Sequence, residues 1–170
     1  MSLLSIRTYP DPVLLQVCQP VGTVERALVE LAENMAETMY AAPGIGLAAP
    51  QVGHAINLVV IDTARGEERG TPLFLFNPRI VAASGETVFE EGCLSVPDYT
   101  ADVLRNEQVI VQALDREGLP ISLEAQGLMA ICLQHELDHL AGRLFLDRIS
   151  PLKRALYRKR RLKQLKKATE

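Results

Sequence analysis

Gly127-Leu128-Met129-Ala130-Ile131-Cys132-Leu133-Gln134-His135-Glu136-Leu137-Asp138-His139-Leu140-Ala141 is the stretch on which the reading of this chain turns. Its apolar residues run round nearly every side: Leu128, Ile131 and Cys132 on one, Leu133, Leu137 and Leu140 on another. A helix with that distribution is buried, and Gly142 is a natural stop for it. Set into this aliphatic helix are His135, Glu136 and His139. Spaced by four, the two imidazoles lie one turn apart on one face and can chelate one ion, with Glu136 within reach of a water beside it. The plain alternative is two core histidines and a stray Glu, but burying those groups without partners would cost several kcal/mol.

A catalytic ion held this way takes a third protein ligand. One H-E-x-x-H class supplies it from a third His, with the spacing H-x-x-G-x-x-H. Here Gly142 fits, but Phe145 stands where the His belongs. Another class uses a downstream Glu, and the only Glu after Glu136 is Glu170. His54 follows Gly53 and reads as a surface residue of a loop. Three cysteines remain. Cys132 shares the helical face but sits about 10 Å along the axis from His139 at roughly 1.5 Å per residue, so it reads as pocket wall or core. Cys18, in a Pro-flanked segment, reads as structural. Cys93, in Glu91-Gly92-Cys93-Leu94-Ser95, has a Gly beside it to free the backbone and is the best candidate on chemistry.

Working outward, the spacing of Val24, Leu28, Leu31, Met35 and Met39 predicts a helix over 23–41, with Thr23 as N-cap and Pro43-Gly44 as its stop. Residues 57–62 and 73–76 read as short strands. Residues 80–83 and 86–90 flank Ser84-Gly85 as a possible hairpin, and 103–114 with 121–125 form a longer one around Glu117-Gly118. Pro151 opens a third helix to about residue 167. Strands and helices do not alternate as βαβ units, so the fold class is α+β: small mixed or antiparallel sheets packed around the central buried motif helix, with a C-terminal helix.

Composition narrows the function classes. Only 5% of residues are aromatic, so the core is aliphatic. No apolar run approaches the roughly 18 residues of a membrane span, and no basic segment precedes an apolar one near Met1, so a cytoplasmic protein without membrane association is expected. Three Cys at irregular spacing do not make a disulfide framework. Charge is divided unevenly. Nine Arg against 20 Asp and Glu leave residues 1–150 at −11, and nine Lys and Arg against Glu170 leave 151–170 at +8, which together give the net −3. Such asymmetry points to a specific role for the tail.

Three segments in order, Gly44-Ile45-Gly46-Leu47-Ala48-Ala49-Pro50-Gln51, Glu91-Gly92-Cys93-Leu94-Ser95 and Gln134-His135-Glu136-Leu137-Asp138-His139, resemble the peptide deformylases. The resemblance runs from Pro10-Asp11-Pro12 to the basic C-terminal helix. It implies a single catalytic domain over residues 1–170, with the basic helix at about 151–167. It implies removal of the formyl group from the N-terminal formyl-Met of newly synthesised proteins, with release of formate. It implies metal ligands Cys93, His135 and His139 and the catalytic carboxylate Glu136. Gln51, through its side-chain amide, and Leu94, through its backbone N–H, are the implied donors to the oxyanion. One divalent metal ion per chain is implied, Fe2+ by preference, with Zn2+, Ni2+ or Co2+ as substitutes. Leu15 departs from the family, whose members often carry a basic residue there.

Specificity for Met needs an apolar slot. Ile45, Phe89, Leu128, Ile131 and Cys132 lie in or beside the motifs and could line it, though each could equally be core. Gly46, with Gly44, lets the backbone approach the substrate. Glu91 and Arg105 are expected to pair and hold the Cys93 loop. The basic helix is expected to bind the ribosome surface, because its cations match phosphate. The rival readings are a general H-E-x-x-H metallopeptidase, which lacks its third His or Glu, and a non-enzymatic RNA- or ribosome-binding protein, which leaves the complete metal motif unexplained.

Overall fold

A computed structural model describes residues 2–64 and 70–169. Its elements are α1 (Arg26–Ala41), β1 (Gly46–Ala48), β2 (Leu58–Ile61), β3 (Leu73–Ser84), β4 (Thr87–Cys93), β5 (Val96–Arg105), β6 (Gln108–Leu114), β7 (Pro120–Gln126), α2 (Gly127–Leu140) and α3 (Pro151–Ala168). Five strands form an antiparallel sheet in the order β1-β2-β3-β6-β7, and β4 and β5 form a separate antiparallel pair. The α+β class expected from the sequence is the one found.

Both faces of the larger sheet are covered. Strand alternation sends Val59 and Ile61 to one side, where they meet Ala130, Cys132 and Leu133 of α2. Leu58 and Val60 go to the other, against Ala32, Met35 and Met39 of α1. That explains why β2 is an unbroken apolar run: a strand buried on both faces has no solvent side to make polar. A third cluster joins Tyr9, Val96, Val103, Phe145 and Tyr157, and fastens α3 to the β4–β5 pair. The motif helix α2 lies between these layers and ends at Leu140, with Ala141 as its C-cap. Gly142 follows at φ +69°, and a Cβ there would come within 2.7 Å of the Leu15 carbonyl oxygen.

Several expected boundaries are corrected. Helix α1 begins at Arg26 and not at Thr23. The extended Glu25 offers the first carbonyl, which accepts from the N–H of Leu28 and of Val29. Residues 73–76 and 80–83 belong to one strand. Asn77, at φ +50°, forms an irregularity that carries Pro78 through the sheet, and its side chain exchanges two 2.8 Å hydrogen bonds with the Val21 backbone. The hairpin around Ser84-Gly85 does not form, because β3 continues along β6 while β4 pairs with β5. The expected 103–114 strand is split between β5 and β6 at Asn106-Glu107. Its hairpin with β7 does form.

Candidate metal centre and cleft

Helix α2 carries His135 and His139 to the inner wall of the fold, and the end of β4 brings Cys93 opposite them. The three side chains each offer a donor atom, and these atoms lie within 4.8 Å of one another. Cys93 Sγ stands 3.3 Å from His139 Nε2. His135 Nδ1 meets Glu91 Oε2 at 2.8 Å, which leaves its other nitrogen as the free donor. One thiolate and two imidazoles suit Fe2+, Zn2+, Co2+ or Ni2+, and three protein ligands leave room for substrate. Burial lowers the His139 pKa and the neighbouring His135 lowers it further, so this ring is held neutral, the form that ligates. Burial also disfavours charge on His135, but its bonds to Cys93 and Glu91 outweigh that and raise it well above the ordinary value.

Glu136 sits beside the donors, buried, with Oε2 lacking a hydrogen-bond partner among the described residues. Burial, aided by the charge on Glu91, pushes its carboxyl up to about 7. A buried carboxylate oxygen without a partner is rare and marks a place where something else binds. Gly46 lies against it: a Cβ there would stand 2.5 Å from Glu136 Oε1 and 2.8 Å from Cys132 Sγ. Gln51, in the 3-10 turn Ala49–Val52, accepts the Ala48 N–H at Oε1 (2.9 Å). That bond fixes the amide's orientation. Nε2 therefore points into the site, donating to Ser95 Oγ at 3.1 Å and reaching Cys93 Sγ at 3.6 Å.

Behind the ligands runs a buried chain of ions. Arg105 donates to both oxygens of Glu91, Nε to Oε1 at 2.6 Å and Nη2 to Oε2 at 2.9 Å, and its Nη1 donates to Asp138 at 2.6 Å. Arg148 donates to both oxygens of Asp138. Burial works to raise the Glu91 and Asp138 carboxyls, but these guanidinium bonds (and His135 at Glu91) hold both below the ordinary range.

In front of the ligands is a cleft of about 390 Å³. Its walls include Ile45, Gly46, Phe89, Leu128, Ile131 and Cys132, together with Gln51, Glu91, Cys93, Leu94, His135 and Glu136. Arg105 and His139 lie behind that wall. Phe89 is half exposed at the rim, while Ile131 and Cys132 are buried deeper. Sequence reasoning passed over Asp138, Arg148, Ser95 and Tyr157. Asp138 stood inside the motif, and its acidic character was the one signal available. Arg148 meets Asp138 across the turn that follows α2, Ser95 meets Gln51 44 residues away, and Tyr157 packs on Tyr9 and Tyr99, pairings that no sequence spacing marks.

The polypeptide deformylase family model matches residues 3–155. A peptide deformylase of Syntrophobacter fumaroxidans is 48% identical over 169 residues, 99% of each chain. One of Nitrosococcus oceani is 51% identical over 160 residues, 94% of this chain and 95% of its own. Among solved structures, the peptide deformylase of Legionella pneumophila superposes with a TM-score of 0.89 at 44% identity, covering 97% of this chain and 98% of that one. The Ehrlichia chaffeensis enzyme in complex with actinonin gives 0.91 at 40% identity, covering 96% and 98%.

Proposed function

The chain belongs to the polypeptide deformylase family, and from that premise we propose which of its residues carry the reaction. It is a metal-dependent hydrolase that removes the formyl group from the N-terminal formyl-Met of newly made polypeptides and releases formate. The ligands are Cys93, His135 and His139. A divalent ion held by them would supply Lewis acidity to the reaction. Glu136 handles the proton. With its carboxyl near 7, it takes a proton from the attacking water and returns it to the amine nitrogen as the C–N bond breaks. Gln51 Nε2 and the Leu94 N–H stabilise the charge that develops on the formyl oxygen, and one such donor contributes about 3 kcal/mol.

The Met side chain enters between Ile45, Leu128, Ile131 and Cys132, with Phe89 at the rim. Gly46 keeps the wall flat at Glu136. Among the described residues, β1 is an edge strand of the larger sheet, paired with β2, and β4 of the separate pair is bonded to β5 alone; residues from both line the cleft. A substrate backbone in extended form fits between them. Residues 1–170 act as one catalytic unit in the cytoplasm. The ligand set accepts Fe2+, Zn2+, Ni2+ or Co2+, and the family resemblance favours Fe2+ as the native ion. The basic helix α3 docks on ribosomal phosphate.

The observation that carries this reading is the convergence of Cys93, His135 and His139 donor atoms within 4.8 Å beside the unpartnered Glu136 Oε2. The third donor comes from β4, which disfavours the general metallopeptidase reading. Protein loaded anaerobically with defined metal should release formate from a formyl-Met peptide, leave internal peptide bonds uncut, and be inhibited by actinonin. Internal cleavage without formate release would return the metallopeptidase.

A further inference from the structure

Arg148 touches no reacting group, yet it ends a chain of hydrogen bonds that begins at a metal ligand. We propose that Arg148 is a positioning residue for His135, acting through Asp138, Arg105 and Glu91. The inference rests on His135 being a ligand.

The chain is continuous. His135 Nδ1 meets Glu91 Oε2 at 2.8 Å, Arg105 grips both Glu91 oxygens at 2.6 and 2.9 Å, and Arg105 Nη1 reaches Asp138 Oδ2 at 2.6 Å. Arg148 closes it with Nε on Oδ2 at 2.5 Å and Nη2 on Oδ1 at 2.6 Å. The Arg105 side chain is 1% exposed, Glu91 3%, Asp138 9% and Arg148 38%, so the chain runs from solvent to the metal centre.

Each link constrains the next. A guanidinium that donates two parallel bonds fixes the plane of the carboxylate it grips. Arg148 fixes Asp138 in this way, and Arg105 fixes Glu91. Asp138 Oδ2 is shared between the two arginines, so its orientation sets where Arg105 can lie. Glu91 in turn sets the imidazole, as a carboxylate behind a ligating His does. The charges also balance, two guanidiniums against two carboxylates. Without Arg148 the chain would carry an uncompensated negative charge beside Cys93 and Glu136.

A second observation is independent of these bonds. Arg148 closes the 3-10 turn Phe145–Arg148, and Phe145 at its other end stacks on the His135 ring, with centroids 6.2 Å apart at 27°. One short turn therefore holds the ligand twice, by its ring face and, through the ions, by its Nδ1.

The test compares R148Q and R148K with R143Q. Arg143 is exposed, and R143Q makes the same charge change nearby. One metal per chain is first established for each protein. The readouts are the rate at which Zn2+ passes to a chelator, the visible spectrum of the Co2+ form, kcat and KM on a formyl-Met peptide, and melting of the metal-free protein. R148Q should release Zn2+ about tenfold faster or more, shift the Co2+ spectrum, and lower kcat with KM unchanged. R148K should lie between, because an ammonium cannot grip both oxygens. R143Q should match wild type. Wild-type Zn2+ release and Co2+ spectrum in R148Q would overturn the proposal, even with a lowered melting temperature, since Arg148 would then be only a structural ion pair. If R148Q does not fold, wild-type release by R148K overturns it. Wild-type protein that binds no metal would instead remove the ligand reading beneath it.

Discussion

Gly46 has no room for a side chain. With Glu136 Oε1 2.5 Å and Cys132 Sγ 2.8 Å from where its Cβ would be, Gly46→Ala must push the carboxylate or the helix aside. A displacement of about 1 Å at reacting groups costs on the order of 100-fold in rate. We expect that loss in kcat with metal content unchanged. Glu136→Gln is isosteric and should also retain metal, yet lose at least about 100-fold in turnover, because the proton carrier is gone. Near-wild-type formate release would remove Glu136 from its role. Cys93→Ser should lower bound metal, while Cys132→Ser should leave it intact and alter affinity for the Met side chain. The reverse pattern would exchange the two assignments. Cys18 titrates elsewhere. Burial raises its thiol from 9.0 to about 11, so the unfolded chain releases that proton first. The stability tied to Cys18 is whole below pH 9 and lost as pH rises toward 11, and Cys18→Ala should flatten the alkaline fall in melting temperature. At this scale the sequence was legible where chemistry is local: the spacing of His135 and His139 puts both on one helical face. Arg148 was not, since what matters is its carboxylate partner across a turn, and no periodicity announces that.

Among the elements, β3 shows why boundaries were harder to read than types. Asn77-Pro78 reads as a break, because proline cannot donate to a ladder. Asn77 instead anchors the irregularity to Val21, an interaction 56 residues away along the chain. The β4–β5 pair was hidden for a related reason. Gly85 looked like a hairpin turn, but the register that counts joins Thr87 to Arg105 and Cys93 to Val96, and this pair delivers Cys93, Leu94, Glu91 and Arg105 together. Helix α2 was legible from end to end, because burial on all sides leaves an apolar pattern that only tertiary contacts interpret one way. Helix α3 was legible as a helix but not in its facing. Its leucines, Leu152, Leu156, Leu162 and Leu165, are the side chains from which an inward apolar stripe would be built. The face against the body is Tyr157, Arg161 and Leu165, with Tyr157 packed on Tyr9 and Tyr99 at 6.0 and 5.0 Å. Arg161 donates to the Tyr9 carbonyl and Thr8 Oγ1, and Arg160 to the Asp98 carbonyl. Tyr157→Ala should cost about 3 kcal/mol of stability, read by denaturant unfolding, while hydrolysis of a free formyl-Met peptide persists below the lowered melting point. Loss of that activity in folded protein would make α3 part of the catalytic apparatus.

Across the whole molecule, charge and packing divide α3 into two faces with different work. Tyr157, Arg160 and Arg161 are committed to the body. Leu152, Leu156 and Leu162 are 71%, 59% and 48% exposed, and Lys153, Arg158, Lys159, Lys163, Lys166 and Lys167 are exposed with them. A body at net −11 does not need this cationic density for solubility, and a solvated end has no use for outward leucines. The two together suit a surface of phosphate interrupted by apolar protein, which is what a ribosome offers to an enzyme whose substrate emerges there. The family model stops at residue 155, so most of this face lies beyond the matched residues. Phosphate contacts release counterions, and about six of them would weaken binding roughly 1,000-fold between about 50 and about 200 mM salt. The full chain should therefore co-sediment with ribosomes at low salt and detach steeply as salt rises. Lys159→Glu with Lys163→Glu should abolish co-sedimentation while leaving melting temperature and free-peptide hydrolysis near wild type, because neither residue faces the body. Truncation after Pro151 should abolish it too, at the cost of uncovering Tyr9, Tyr99 and Phe145. If the double Glu variant co-sediments like the wild type, the outward face of α3 does not meet the ribosome, and the basic tail is a solvated end.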